Sequence, residues 1–189
     1  MKKRLFLMVL FAMVLQQTEL LAQDIELTGS GYEKKEVVTV EGATTSDLYV
    51  RAMEALSDWK GPDGKAEAGL DFHDKDAGVV NYKGKFSLGF KKTFLDAGWY
   101  RYADFAMKVR CKDGRAQVAV TVPTITAINN RTGQRSQQTV QVWLNAVRRS
   151  SGAKHERGVA LMEDLKETAD GLVSAMMERL KNGGSDDDF

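Results

Sequence analysis

The chain has 189 residues, 43% apolar and 28% charged, a balance that excludes an intrinsically disordered protein. Its single cysteine, Cys111, excludes an internal disulfide framework, so packing alone has to hold the fold. The formal charge of +1 conceals an uneven distribution, taken up below.

Met1-Lys2-Lys3-Arg4 is a short basic segment, Leu5 to Leu15 an unbroken apolar run, and Gln16 to Glu19 a polar stretch before Leu20-Leu21-Ala22-Gln23. This order predicts a secretory signal peptide over residues 1–22 or 1–23. The apolar run falls short of the ~20 residues that a membrane-crossing helix needs. The mature chain is therefore expected to be exported, periplasmic or secreted, with no transmembrane segment. Export removes cytosolic nucleotides and the chromosome from the expected partners. What remains is 166 residues with a net charge of −1, expected to form one domain over residues 24–182 with a disordered acidic tail at 183–189.

Glu36 to Val40 reads as a strand that ends at Gly42. Thr44 and Asp47 have capping-box spacing and start a helix expected to run to about Trp59. Leu48, Ala52, Ala55, Leu56 and Trp59 share one face of that helix. Lys60 to Gly64 stops it. Leu70 to His73 is a short strand candidate, and Asp74 to Gly78 a turn. Val80, Tyr82, Phe86 and Leu88 then alternate with polar residues, as in a half-buried strand, with Gly84 expected as a bulge or close-packing point.

The clearest local signal is a hairpin from Ala103 to Val122 around Asp113-Gly114. With those two residues as the loop, Val109 faces Val118, Met107 faces Val120 and Phe105 faces Val122, all on one apolar face. Cys111 falls on that face opposite Ala116, which predicts a buried, unreactive thiol. Pro123 predicts an edge position or a bend. Asn129 to Gln138 reads as a polar loop, and Thr139 to Leu144 as a further strand or the start of a helix. His155 to Lys181 should be one long helix, with Met162, Leu165, Ala169, Leu172, Met176 and Leu180 in a single stripe and Gly183 past its end. This order argues for an α+β fold: one curved antiparallel sheet with helices on one face, plus a long C-terminal helix.

Thr45-Ser46-Asp47-Leu48-Tyr49-Val50-Arg51-Ala52, the later Trp59, and Asp74-Lys75-Asp76-Ala77-Gly78-Val79-Val80 together resemble a bacterial exported domain of unknown function with a TBP-like fold. The resemblance covers about residues 35–125. It implies a TBP-like architecture and an N-terminal signal peptide. It implies no assigned activity and no catalytic or binding residue. A TBP-like sheet need not bind DNA, and nucleic acid is not an expected partner.

Chemistry-bearing constellations are sparse. His73 and His155 are the only histidines, and no Gly-x-Ser-x-Gly or phosphate-cradling glycine loop opens a helix. Asp71, His73, Asp74 and Asp76 cluster, but they lack the glycine and distal Glu of a calcium loop. They read as a turn in which Asp side chains accept from backbone amides. No catalytic residue, metal or cofactor is therefore expected, and a hydrolase is the least favoured reading.

Charge offers more. Residues 24–76 carry a net −7, residues 77–115 a net +6, residues 116–162 a net +5 and residues 163–189 a net −5. Such segments can simply complement one another within a fold, or they can build a basic face for an anionic ligand. By alternation, Lys83, Lys85, Lys108, Arg110 and Arg115 point away from the apolar side of the sheet, with Tyr100 and Tyr102 flanking them. These seven are the candidate binding residues, and an anionic glycan or an envelope protein is the expected partner. The alternative is an accessory subunit that docks on a partner through the C-terminal amphipathic helix.

Overall fold

The computed structural model describes residues 27–28, 31–55, 66–88 and 98–183. In chain order the elements are β1 (Leu27–Thr28), β2 (Gly31–Thr39), α1 (Thr45–Glu54), β3 (Ala66–Asp74), β4 (Val79–Leu88), β5 (Trp99–Lys112), β6 (Arg115–Asn129), β7 (Arg135–Thr139), α2 (Val140–Arg148) and α3 (Gly152–Asn182). The expected signal peptide, the residues from Leu56 to Trp59 and the acidic tail beyond Gly183 lie outside the described residues.

Seven strands form one open sheet in the order β1-β2-β6-β5-β4-β3, with β7 also paired to β6. Every pairing is antiparallel. The β5–β6 hairpin keeps the expected register from Lys112 opposite Arg115 to Ala106 opposite Thr121, then slips by one so that Asp104 faces Thr124. Val122 and Pro123 therefore oppose Phe105 together, as a β-bulge, and the one-to-one pairing of Phe105 with Val122 does not form.

Pro123 does not mark a sheet edge. Strand β6 is flanked by β2 up to Val122 and by β7 from Thr124 onward. The proline, which has no N–H to give, occupies the seam where one partner strand is exchanged for the other. Gly31 enters β2 at the same seam with φ 115°, where a Cβ would sit 2.3 Å from the Val122 carbonyl oxygen. Gly84 is no bulge either: its pairings with Ala68 and Phe105 are unbroken. The irregularity lies in β3, between Leu70 and Phe72.

Helices α1, α2 and α3 cover one face of the sheet. Helix α1 starts with the capping box read from sequence: the Thr44 hydroxyl accepts from Asp47 N–H, and the Asp47 carboxylate accepts from Thr44 N–H at 2.8 Å. Among the described residues it ends at Glu54, with Ala55 as its cap. The expected polar loop at 129–138 is shorter than read, because β7 begins at Arg135. Thr139 then ends that strand and caps α2, its hydroxyl accepting from Val142 N–H at 3.3 Å. The strand-or-helix ambiguity at 139–144 is thus resolved as helix from Val140, with Thr139 alone closing the strand.

Helix α3 begins at Gly152, three residues before the expected start, and its 31 residues span about 46 Å. It packs mainly on β2 and β6, whereas α1 packs on β5 and β4. Met162, Leu165, Ala169, Leu172, Met176 and Leu180 are all buried, together with Val80, Phe105, Met107, Val109, Val118 and Val120 from the sheet. The Arg51 guanidinium of α1 donates to the Leu180 carbonyl at 2.8 Å and so ties the C-terminus of α3 to α1. The stripe that a docking helix would present is spent on the chain's own core.

Candidate functional site

With α1, α2 and α3 on one face, no element among the described residues covers the other face of the sheet. Alternation decides which residues occupy it. On β5 these are Tyr100, Tyr102, Asp104, Ala106, Lys108 and Arg110, while Ala103, Phe105, Met107, Val109 and Cys111 are buried beneath the helices. On β4 they are Asn81, Lys83, Lys85 and Ser87, and on β6 Arg115, Gln117, Ala119, Thr121 and, beyond the bulge, Thr124.

Side-chain length shapes this face. Ala106 pairs with Thr121, and Ala119 lies opposite Lys108, so three short residues adjoin one another in the middle of the two central strands. Long side chains surround them and leave an open concavity of about 370 Å³. Its rim holds Lys35, Lys83, Lys108 and Arg110, with Glu33, Asp71, Asn81 and Gln117 between them. Lys83 Nζ lies 3.0 Å from an Asp71 oxygen, and Lys35 Nζ 3.9 Å from a Glu33 oxygen. Such exposed pairs are worth little and open readily. Lys108 and Arg110 make no ion pair among the described residues, so four cations face two carboxylates. The Asn81 side-chain oxygen is buried in this wall with no hydrogen-bond donor among the described residues.

A second group lies toward the other end of β5. Lys85 Nζ and the Arg135 guanidinium each lie 5.7 Å from the centre of the Tyr102 ring, within cation–π range. One step along, Asp104 Oδ2 accepts from the Thr124 hydroxyl at 2.8 Å and from Gln137 Nε2 at 3.0 Å.

The seven sequence candidates therefore share one face but not one site. Lys83, Lys108 and Arg110 line the concavity. Lys85 and Tyr102 belong to the second group, and Tyr100 stands exposed beyond it at 65%. The tyrosines do not flank Lys108 and Arg110: six residues of strand, about 20 Å, separate Tyr102 from Lys108. Arg115 sits beyond the concavity at the hairpin turn. Sequence reasoning missed Lys35, Glu33, Asn81, Gln117 and Arg135 as site residues, and it read Asp71 only as part of a turn. Only the run of short residues on the polar face, Ala106, Ala119 and Thr121, was available as a signal.

The Asp71–Asp76 cluster separates in the fold. Asp71 pairs with Lys83, His73 Nδ1 lies 2.7 Å from the Tyr49 hydroxyl, and Asp74 accepts from Ala77 N–H at 3.0 Å in the turn. Among the described residues no three His, Cys, Asp or Glu side chains gather as a metal site requires. Cys111 is buried, and that burial pushes its thiol up to about 11.

Two solved structures share this architecture. A TBP-like protein from Parabacteroides distasonis matches with a TM-score of 0.61 at 10% identity, over 85% of this chain and 99% of its own. The fold is TBP-like. A DUF4468 family protein from Bacteroides ovatus matches with a TM-score of 0.57 at 18% identity, over 86% of this chain and 92% of its own. The likeness thus reaches well past residues 35–125 and takes in the C-terminal helix. At these identities it concerns the fold alone. No family model and no curated protein matches the sequence. Among the described residues no helix is long and apolar enough to cross a membrane.

Proposed function

We propose that this chain is an exported, non-enzymatic binding domain that holds an anionic ligand on its open sheet face. The observation that carries this reading is the concavity floored by Ala106, Ala119 and Thr121 and rimmed by Lys35, Lys83, Lys108 and Arg110. Lys108 and Arg110 hold charge that no carboxylate among the described residues neutralises, and cations around a concave surface concentrate anions there. The partner is an envelope glycan or an envelope protein that presents acidic groups. Export rests on the basic-apolar-polar order of residues 1–23.

The test titrates the mature chain, residues 24–189, with polyphosphate and with an acidic polysaccharide, beside a Lys108→Glu/Arg110→Glu variant. Binding that weakens about tenfold or more in the variant, and that falls steeply with salt, supports the reading. Equal binding by both proteins removes the concavity from consideration. Export is tested separately, by expressing the full chain and sequencing the N-terminus of the periplasmic product. Mature protein beginning at Gln23 or Asp24 is the expected result.

A further inference from the structure

The outer face of β5 presents Tyr100, Tyr102, Asp104, Ala106, Lys108 and Arg110 at two-residue steps, about 6.6 Å apart. The series changes chemistry along its length: aromatic rings, a carboxylate, a gap, then two cations. From this order we infer that the ligand is an acidic saccharide chain lying along β5. The inference rests on the anion-binding reading above and names its ligand class.

Three features distinguish such a ligand from a plain polyanion. The first is an unspent hydrogen-bond acceptor. Asp104 Oδ2 takes both Thr124 and Gln137, and its second oxygen has no donor among the described residues. Polyphosphate offers only acceptors and cannot satisfy it, whereas sugar hydroxyls donate. The second is Tyr100, an aromatic ring 65% exposed on the same face, which suits the apolar face of a sugar ring. The third is the separation of the parts. Tyr100 and the Lys108–Arg110 pair lie at opposite ends of a strip of about 26 Å, with Lys85 and Arg135 adding cations beside Tyr102 at the aromatic end, so one small anion cannot reach both ends but a chain of several sugar rings can. In this arrangement a uronate carboxylate sits between Lys108 and Arg110, a neighbouring hydroxyl donates to Asp104, and a ring further along stacks on Tyr100.

The experiment titrates the mature chain with polygalacturonate, polyphosphate and neutral dextran, using two variants, Lys108→Glu/Arg110→Glu and Tyr100→Ala/Asp104→Asn. Thermal melts confirm that both variants fold. The expected result is that polygalacturonate weakens about tenfold or more in each variant, whereas polyphosphate weakens only in the first and dextran binds no form tightly. If Tyr100→Ala/Asp104→Asn leaves polygalacturonate binding unchanged, the saccharide inference is overturned while the anion site stands. Binding of polyphosphate alone has the same meaning. If the charge-reversed variant binds both polyanions as the parent does, the anion-binding reading falls and takes this inference with it.

Discussion

The carboxylate of Asp113, in the β5–β6 hairpin turn, accepts from both the backbone N–H and the hydroxyl of Thr45, the first residue of α1, at 2.7 and 2.8 Å. One residue thus serves two elements 68 positions apart: it supplies the Asp-Gly turn chemistry and satisfies a free donor at a helix N-terminus. Gly114 N–H donates to the Ala43 carbonyl at 2.8 Å and completes the junction. The Thr45 hydroxyl and backbone bonds hold the Asp113 carboxyl below its ordinary value, and the Thr44 backbone and side-chain bonds do the same for Asp47. A depressed folded-state value stabilises the fold above the ordinary carboxylate range and loses that contribution as pH falls through the folded value. Stability should therefore decline below about pH 4. The doubly substituted Asp47→Asn/Asp113→Asn protein should start less stable at pH 7 and show a flatter acid limb. Parallel acid limbs in thermal melts from pH 7 to pH 2 would refute this.

Tyr32 on β2 donates its hydroxyl to Asp170 on α3 at 2.5 Å, and Lys166 meets the other oxygen of Asp170 at 2.9 Å. The bond fastens the long helix to the strand it covers. Tyr32→Phe should cost about 1–2 kcal/mol and lower Tm by about 2–6 °C. Asp170→Asn should cost less in the Tyr32→Phe background than alone, as a double-mutant cycle would show. Burial, with help from Asp170, raises the Tyr32 hydroxyl well above its usual range, and burial does the same for Tyr82. A raised acid favours the fold below its unfolded value of about 10 and withdraws that support above it. The alkaline limb should accordingly begin near pH 10, and Tyr32→Phe should soften it.

Gly42 and Gly78 both occupy left-handed backbone, at φ +78° and +61°, but only Gly78 is crowded. A Cβ there would lie 2.7 Å from the Cys111 carbonyl oxygen and 2.8 Å from a Thr45 methyl, whereas nothing lies within 4 Å of one at Gly42. Gly42→Ala should cost about 1–2 kcal/mol for the backbone conformation alone. Gly78→Ala should cost clearly more, because β4 would have to shift from β5 where Cys111 N–H donates to the Gly78 carbonyl at 2.7 Å. Equal losses in denaturant melts would mean that the contact relaxes freely.

What the sequence disclosed was local. The hairpin register, the capping box at Thr44 and Asp47, and the stripe from Met162 to Leu180 are each written within a few turns or strand steps, and each forms as read except where the bulge at Val122 and Pro123 shifts the hairpin register beyond Ala106. The departures come from long-range pairing. Nothing near Lys35 indicates that β2 will lie beside β6 and bring Lys35 next to Ala119. Half the rim of the concavity was therefore invisible, while Lys83, Lys108 and Arg110 could be read by alternation. Pro123 gave a true signal with two meanings, and the exchange of β2 for β7 along β6 decided between them. Arg135 and its neighbours lack any apolar alternation because β7 is exposed along nearly its whole length, so the strand read as a loop and the Arg135–Tyr102 contact was lost with it.

Cys111 offers a test of the core in the intact protein, since it is the only thiol in the chain. Its side chain is 3% exposed on the helix-covered face. Burial raises the thiol to about 11, so at pH 8 little of it is ionised even before access is considered. Thiolate is the reactive form, and the surrounding side chains also exclude the reagent. Native protein mixed with a disulfide reagent at pH 8 should therefore react only as fast as it opens, whereas protein in denaturant should release one equivalent at once. The native rate should rise with denaturant along the unfolding curve, and Tyr32→Phe should speed it in proportion to the stability lost. Rapid stoichiometric reaction of the folded chain in plain buffer would show that the β5 face carrying Cys111 is not sealed by the helices.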